Sequence, residues 1–425
     1  MTDMYLRGSK WSMRKRRPRF SRPWRVLVLL LLIAAVLYVN QVVVPTTPPL
    51  FIPTVTPTRS PEAFINEAQT AFNEGKLAQA IEAYEQAILV EPENAATYVD
   101  LARTQILAGR YEEGLESAEL ALLRNPDNPI AYAMHAWALD FLGSYLEAEA
   151  SIKKALELDE NSAVAHAVYA EILADTGDYE GAAEESRLAV ELDPNRLEVR
   201  RARGYVLYWT SNYEMALEEY QAALAINDKI PNLYMMMGYI YTALDEYDLA
   251  VENFNQANAL NPSDPTPEYE ASRSYFVIGE FAQAAQYAQQ AVEDDPGNPK
   301  LQGNLGIMLA KNNQLNQALD HLSLAVQGGT TEDGQIVEGL PLAYDLRTIE
   351  IYSLYGLTLA RLNRCNEAVP IFQTMLSVVP DNELAVFNAN AGLDMCQANV
   401  EESAPETETE AETEAEAETE LTPTP

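Results

Sequence analysis

A spacing of 34 residues recurs through most of this 425-residue chain. Glycines share this spacing or a multiple of it: Gly75, Gly109, Gly143, Gly177 and Gly279. Tyrosines form a second series: Tyr111, Tyr145, Tyr179, Tyr213 and Tyr247. Small residues form two longer series: Ala80, Gly114, Ala148, Ala182, Ala216, Ala250, Ala284 and Ala318, and Ala87, Ala121, Ala155, Ala189, Ala223, Ala257, Ala291 and Ala325. Several independent series with one period indicate a stack of similar units, none of which buries its apolar face alone.

Each series has a physical role in a pair of antiparallel helices. Alanines allow two helices to approach closely, and a glycine ends the first helix because it tolerates a positive φ. A proline closes the second helix in phrases such as LVEPEN and ELDPNR. Where the glycine is missing, its place is taken by Ser211, Asp245, Asn313 and Asn363. Asparagine is among the few other residues that visit the left-handed region readily.

This pattern resembles the tetratricopeptide repeat family, and the resemblance covers residues 61–398. It implies an all-α fold, a superhelical solenoid of about nine helix-turn-helix repeats with a C-terminal capping helix. The frame predicts repeats at 61–94, 95–128, 129–162, 163–196, 197–230, 231–264, 265–298, 299–332 and 349–382. Residues 333–348 interrupt the frame as an insertion, and residues 383–398 form the capping helix that covers the last apolar face.

The charge of the chain is unevenly distributed, with 28 Lys and Arg against 64 Asp and Glu overall. Residues 1–25 nevertheless contain nine Lys or Arg and one acid, and an apolar run follows at 26–44 that is long enough to span a bilayer. The positive-inside rule then predicts a single-pass cell-membrane protein, with residues 1–25 in the cytoplasm and the repeats extracytoplasmic. A cleaved signal peptide is the alternative, but the apolar run is longer than usual for one and no A-x-A-like site follows.

Two segments of biased composition flank the predicted array. Residues 45–60 are rich in proline and threonine, which predicts a semi-rigid linker; an O-glycosylated stalk is the alternative. Residues 399–425 include ten glutamates and no Lys or Arg. Such a segment buries too little apolar surface to offset its chain entropy, so we expect an acidic disordered tail.

The two cysteines fall at the C-terminal end of the array. In the repeat frame, Cys365 begins the second helix of the ninth repeat and Cys396 lies near the end of the capping helix. Adjacent helices run antiparallel, so the start of one meets the end of the next. We therefore predict a Cys365–Cys396 disulfide, formed in an oxidising compartment. Two unrelated buried thiols are the alternative.

Composition and motifs argue against catalysis. A net charge of −36 repels nucleic-acid phosphates. Two cysteines and three scattered histidines (His135, His166 and His321) are too few for a metal site. No phosphate-binding loop, nucleophile elbow, zinc-protease or calcium-loop pattern occurs. We expect a protein that is not an enzyme and uses no metal and no cofactor.

The concave wall of the first helices is the surface that remains for function, and in the family this wall receives a peptide of a partner protein. Transferring its inward-facing positions predicts a partner-binding groove of these residues: Trp137, Asp140, Phe141, Arg201, Tyr205, Tyr208, Trp209, Met235, Met236, Tyr239, Tyr269, Arg273 and Phe276. Arg103 and Glu171 add charges nearby. Aromatic, methionine and arginine side chains are typical of binding hot spots. The alternative is that some of them, notably Tyr208 and Phe276, pack between repeats.

Two charge patterns refine this prediction. Arg196, Arg200, Arg201 and Arg203 form the only dense basic cluster beyond the N-terminal segment. They either pair with neighbouring glutamates, which we favour, or offer an anion a docking point. The family subtype that grips chaperone C-termini needs a Lys/Asn/Arg set on the wall, for which Lys300 and Asn304 are the nearest candidates. We do not expect that activity.

Together these patterns predict a membrane-anchored, extracytoplasmic scaffold or adaptor that binds a protein or peptide in its concave groove. One alternative is an accessory or regulatory subunit that contacts cell-envelope glycan through stacked Tyr and Trp side chains. Another is a purely structural spacer.

Overall fold

The structure, a computed structural model, describes residues 23–38 and 59–403. The first range is a single helix of 16 residues, Pro23–Tyr38. It overlaps the predicted membrane segment 26–44, whose last six residues lie outside the described part of the chain, as do residues 1–22, most of the predicted linker and residues 404–425. Within the described ranges, no helix has both the length and the apolar character needed to cross a bilayer.

From residue 61 onwards the chain consists of antiparallel helix pairs in the predicted frame. Eight consecutive pairs have these bounds: Pro61–Asn73 and Leu77–Val90 (repeat 1), Ala95–Leu107 and Tyr111–Arg124 (repeat 2), Pro129–Phe141 and Tyr145–Leu158 (repeat 3), Ala163–Asp175 and Tyr179–Leu192 (repeat 4), Leu197–Trp209 and Tyr213–Ile226 (repeat 5), Pro231–Ala243 and Tyr247–Leu260 (repeat 6), Thr266–Val277 and Phe281–Asp294 (repeat 7), Pro299–Lys311 and Leu315–Gln327 (repeat 8). The predicted all-α solenoid is confirmed.

The residues that begin and end the helices explain this regularity. Asn94, Asn128 and Asn298 each precede a first helix and accept a hydrogen bond from a backbone N–H in its first turn. The turn that ends each first helix needs a left-handed residue. Where glycine is absent, the four predicted substitutes adopt φ values of 58–61°: Ser211, Asp245, Asn313 and Asn363.

Small residues hold the helices together. Ala80, Ala148, Ala182 and Ala216 of the first alanine series are 0% exposed. A side chain at the corresponding Gly114 would place its Cβ 2.8 Å from Ile106 Cγ1, so the helices of repeat 2 are already in contact. The first helices of most neighbouring repeats, those of repeats 3, 4 and 5 above all, also pack side by side. They form one continuous surface, which we term the inner wall.

The array is interrupted after repeat 8 by a short irregular segment. Strand β1 (Gly329–Thr330) pairs antiparallel with strand β2 (Ile336–Val337). The segment then folds back on repeat 8, where the Leu340 amide donates to the Ala325 carbonyl at 2.8 Å. Repeat 9 follows with helices Leu346–Arg361 and Cys365–Val378. Its first helix begins three residues before the predicted repeat boundary because Asp345 caps it, accepting a hydrogen bond from the Thr348 amide at 2.9 Å.

A final helix, Glu383–Ser403, closes the array. It starts where a tenth repeat would start and runs five residues beyond the predicted limit of 398. A disulfide joins Cys365 to Cys396, with the two Cα atoms 5.4 Å apart. The bond ties the second helix of repeat 9 to the capping helix, in the antiparallel arrangement expected from the repeat frame.

Candidate partner-binding groove

One position in each first helix forms a ladder along the inner wall at the 34-residue spacing. Its members in repeats 2 to 7 are Arg103, Trp137, Glu171, Tyr205, Tyr239 and Arg273. Consecutive members touch in repeats 3 and 4, where Trp137 Nε1 donates to Glu171 Oε2 at 2.8 Å. The predicted groove residues are therefore coupled across repeats.

Arg201 is the centre of a buried polar cluster on this wall. It is 3% exposed and forms an ion pair with Glu171. Its guanidinium also lies 5.0 Å from the ring centroid of Trp137 and 5.4 Å from that of Phe141. Burial raises the pKa of Glu171, and the charge of Arg201 opposes that rise. Trp137 and Arg201 thus belong to the interior of the wall, not to its accessible surface.

Asp140 lies beside this cluster without a full set of partners. It is 4% exposed, and its Oδ1 accepts no hydrogen bond from any described residue. Burial and, to a smaller extent, the carboxylates of Asp175 and Glu171 raise the pKa of Asp140 to about 8, against the opposing charge of Arg201. Asp175 in turn accepts a hydrogen bond from the Tyr205 hydroxyl. At neutral pH the folded protein therefore holds a proton on Asp140.

The aromatic residues of repeat 5 are more accessible. Trp209 is 46% exposed at the end of its helix. Its ring centroid lies 6.2 Å from that of Tyr205 and 5.6 Å from that of Tyr208, both in edge-on geometry. Tyr205 and Tyr208 are half-buried. The three rings form a platform that is open on the inner wall.

Repeat 6 contributes a mixture of buried and accessible residues. Met235 and Met236 are 7% and 8% exposed and pack in the core. Tyr239 is half-buried, with its ring centroid 5.7 Å from that of Phe254 and its hydroxyl 3.5 Å from Glu270 Oε1. Of the three predicted groove residues in this repeat, Tyr239 is the one that faces outward.

Repeats 7 and 9 meet across the inner wall through a shared carboxylate. Glu350 Oε2 lies 3.3 Å from Arg273 Nη1 and 3.2 Å from Arg347 Nη1. The Arg347 guanidinium also lies 5.4 Å from the ring centroid of Tyr269. Both guanidinium charges also oppose the rise that burial causes in the pKa of Glu270, so two carboxylates lie near these two cations.

Phe276 is flanked by cations on the same wall. The guanidinium of Arg273 lies 5.7 Å from its ring centroid, and the Lys311 ammonium lies 5.6 Å from it. Phe276 and Arg273 are half-buried, whereas Lys311 is exposed. This end of the wall combines aromatic surface with positive charge.

The array curves so tightly that distant repeats touch. Arg103 of repeat 2 forms an ion pair with Glu198 of repeat 5, and Asn227 Nδ2 donates to the Phe72 carbonyl at 3.3 Å. A cavity of about 520 Å³ lies between repeats 1 to 3 and repeats 5 to 7. Residues from six repeats line it: Gly75, Tyr111, Trp137, Arg201, Met235 and Pro267. In this part of the chain the inner wall faces itself.

The arginine cluster of repeat 5 is largely paired. Arg200 Nη1 lies 2.7 Å from Glu219 Oε2, and Arg196 Nε lies 3.4 Å from Glu198 Oε2. Arg203 donates to Ser186 Oγ at 2.9 Å. Together with the buried Arg201, these contacts are those of an internal network of the kind we favoured from the sequence.

The remaining polar candidates also have structural contacts. Asn304 is 1% exposed and donates to Ser272 Oγ at 2.8 Å, whereas Lys300 is exposed. The Nδ1 atoms of the histidines lie 3.0 Å from Ser151 Oγ (His135), 2.5 Å from Glu185 Oε2 (His166) and 2.7 Å from Gln302 Oε1 (His321). In residues 23–38 and 59–403, no group of His, Cys, Asp and Glu has an arrangement that could hold a metal ion.

Several residues of the wall were not identified from the sequence. Asp175 occupies the same repeat position as Phe141 and Trp209, and Glu270 occupies the same position as Met236. The repeat frame could therefore have included both. Glu198 and Glu350 gave no such signal, because their partners Arg103 and Arg273 are 95 and 77 positions away.

Comparison with known proteins agrees with this architecture. Three family profiles, each described as a tetratricopeptide repeat, match residues 71–138 and 279–329, residues 231–264, and residues 133–196. These segments are tetratricopeptide repeats, and the array that contains them is a tetratricopeptide-repeat solenoid.

A solved structure supports the same fold. A crystal structure of the APC/C hetero-tetramer Cut9–Hcn1 is similar over 79% of this chain and 78% of that chain, with 16% identity and a TM-score of 0.53. At that identity the likeness shows the fold alone. Pseudomonas aeruginosa PilF, at 23% identity, is matched over 46% of this chain and 88% of that chain with a TM-score of 0.40. A search among curated proteins found no match.

Proposed function

We propose that this chain is a non-catalytic scaffold that captures a partner protein on the inner wall of repeats 5 to 7. The supporting observation is a strip of aromatic residues that are half-buried or, in the case of Trp209, exposed; we term it the aromatic strip. It consists of Tyr205, Tyr208, Trp209, Tyr239, Tyr269 and Phe276. Tetratricopeptide repeats generally bind protein partners, and this strip is the aromatic part of the wall that remains open.

A contrast in exposure within the wall supports this position for the partner. Trp137 and Arg201 are 1% and 3% exposed and engage each other, so their surface is already covered. Trp209 is 46% exposed and Val277, one helix position after Phe276, is 55% exposed. Accessible aromatic rings bury a large area at a small cost in side-chain entropy, which is typical of hot spots. We therefore propose that the binding energy comes mainly from repeats 5 to 7.

Membrane anchoring and an extracytoplasmic location are part of this proposal. The supporting features are nine Lys or Arg before the apolar run at 26–44 and the near absence of basic residues directly after it. The Cys365–Cys396 disulfide also fits an oxidising compartment. The location can be tested by adding protease to intact cells. A tag at residue 403 then reports whether the repeats are protected from digestion.

The aromatic strip is tested by crosslinked pull-down from cells that express the full chain. Trp209→Ala with Phe276→Ala removes both ends of the strip. The matched control is Leu123→Ala with Leu146→Ala, which removes side chains that are 75% and 84% exposed on second helices. We expect a defined protein to be recovered at least tenfold less with the strip variant and at the wild-type level with the control.

Two other results would contradict the proposal. Equal recovery with the strip variant and the wild type would favour a structural spacer. Binding of the purified chain to isolated envelope glycan, lost in the strip variant while no protein is captured, would favour the glycan-binding alternative.

A further inference from the structure

The inner wall of repeats 8 and 9 carries two cations that lack a carboxylate partner among the described residues. Arg273 and Arg347 have carboxylates nearby, because both lie against Glu350 and both oppose the rise that burial causes in the pKa of Glu270. Lys311 and Arg361 form no ion pair with any residue in the described ranges. In repeat 5, by contrast, Arg200 and Arg201 each have a glutamate partner. Uncompensated positive charge is unusual in a chain with a net charge of −36.

The two unpaired cations occupy equivalent places at one edge of the wall. Lys311 is the last residue of the first helix of repeat 8, and Arg361 is the last residue of the first helix of repeat 9. Both side chains are exposed, and Arg361 Nη2 donates to Asn313 Oδ1 at 3.2 Å. The C-terminal end of a helix stabilises a cation on the side that faces the helix. The side of each charge that faces solvent remains open to an anion.

The described part of the chain ends beside this edge of the wall. The capping helix Glu383–Ser403 takes the place of a first helix, so its C-terminal end lies at the same edge as Lys311 and Arg361. One contact shows the proximity directly: Asn399 Nδ2 donates to the carbonyl of Ala360, the neighbour of Arg361, at 3.1 Å. The next residues therefore start within a few residues' reach of both cations.

Those next residues have the complementary charge. Residues 404–425 contain eight glutamates and no Lys or Arg. At up to about 3.5 Å per residue, a segment of this length spans several tens of ångströms. It is long enough to reach from Ser403 to Arg361 and Lys311.

We propose that residues 404–425 fold back and dock on Arg361 and Lys311, and so cover the Phe276 end of the aromatic strip. The tail then competes with the partner for this surface, a consequence that rests on the proposed function. Because it is tethered, the tail acts at an effective concentration in the millimolar range. At physiological salt, repulsion between the tail and the acidic residues of the array is screened beyond about 8 Å. Short-range contacts with these cations therefore determine whether the tail docks.

The test uses full chains and a labelled synthetic peptide of residues 404–425 as the probe. A neutral-tail chain, with all eight glutamates of 404–425 replaced by glutamine, leaves the cations free. By fluorescence anisotropy at physiological salt, we expect this chain to bind the probe and the wild-type chain to bind it at least tenfold more weakly. In the neutral-tail chain, Lys311→Glu with Arg361→Glu should abolish binding. The matched control, Lys154→Glu with Arg187→Glu on second helices, should not.

Three results would overturn the tail contact: no binding of the probe to the neutral-tail chain, equal binding to both chains, or binding that the Lys311 and Arg361 changes leave intact. Concentration-dependent dimerisation of the wild type that the neutral-tail chain lacks would instead assign the tail to a second copy and refute docking within one chain. Partner capture is measured separately with the neutral-tail chain. If the neutral-tail chain captures no partner, the proposed function is rejected, and the result with the probe is unaffected.

Discussion

Arg103 in repeat 2 is paired with Glu198 in repeat 5, across 95 residues of sequence. Glu198 is 2% exposed and the side chain of Arg103 is 28% exposed, so the pair is largely removed from water. Burial raises the pKa of Glu198, but Arg103 and Arg196 outweigh that effect and hold it below its ordinary value. The contact joins two repeats that are not neighbours in the stack.

Glu198→Gln should loosen the curvature of the array. Removing one partner of a buried pair leaves the other charge uncompensated, and we expect a loss of about 2–3 kcal/mol. Hydrogen exchange should accelerate in repeats 2 and 5, and the radius of gyration in X-ray scattering should increase. Glu113→Gln, which breaks the exposed Arg110–Glu113 pair at 3.3 Å, is the control and should change neither quantity. Identical scattering curves for both variants would argue against a closure role.

Glu171→Gln should destabilise the array more than Trp137→Phe. The first change leaves the buried Arg201 without its anion, at a cost of roughly 3–5 kcal/mol. The second removes one hydrogen bond to a carboxylate, worth about 1.5–3 kcal/mol, plus some packing. Chemical denaturation followed by circular dichroism measures both. The reverse order would show that Arg201 is held by its aromatic neighbours and not by Glu171.

The folded array should lose stability as the pH rises from about 4 to about 8. Burial raises the pKa of Asp140 to about 8, with help from Asp175 and Glu171 and against Arg201. An unfolded aspartate titrates near 3.9, so between these values the folded state binds the extra proton and each rise in pH favours unfolding.

Asp140→Asn should flatten this pH dependence. Urea midpoints measured from pH 5 to pH 9 give the comparison, with the exposed Asp127→Asn as control. Asp140→Asn should make the protein more stable than the wild type at pH 9. Parallel profiles for all three proteins would mean that Asp140 is ionised throughout.

Reduction of the Cys365–Cys396 disulfide should loosen the C-terminal end selectively. The bond closes a loop with a sequence separation of 31, which corresponds to about 3–4 kcal/mol in the chain-entropy model. Hydrogen exchange should accelerate in Cys365–Val378 and Glu383–Ser403, whereas repeats 1 to 6 stay protected. Dithiothreitol should have no further effect on Cys365→Ser with Cys396→Ser. Uniform acceleration over the whole array would show that the cap limits global unfolding.

Local structure could be read from the sequence because each repeat contacts mainly its neighbours. The turn at Ser211 and the 0% exposure of Ala80 and Ala148 follow from requirements that recur at every period. The positions of the groove residues on the first helices follow in the same way. Their exposure does not: Trp137 and Trp209 are both tryptophans on first helices, yet one is buried and the other is half exposed.

The sequence by itself determined the helix pairs, their turns, the break after repeat 8 and the residues that lie on the inner wall, because all of these depend on spacing within about one period. Only the tertiary structure decided which part of that wall stays open. A small rotation per repeat accumulates along the solenoid and brings Arg103 to Glu198 and the Phe72 carbonyl to Asn227. The same accumulation forms the cavity between repeats 1 to 3 and repeats 5 to 7, and no pattern with a 34-residue period encodes it.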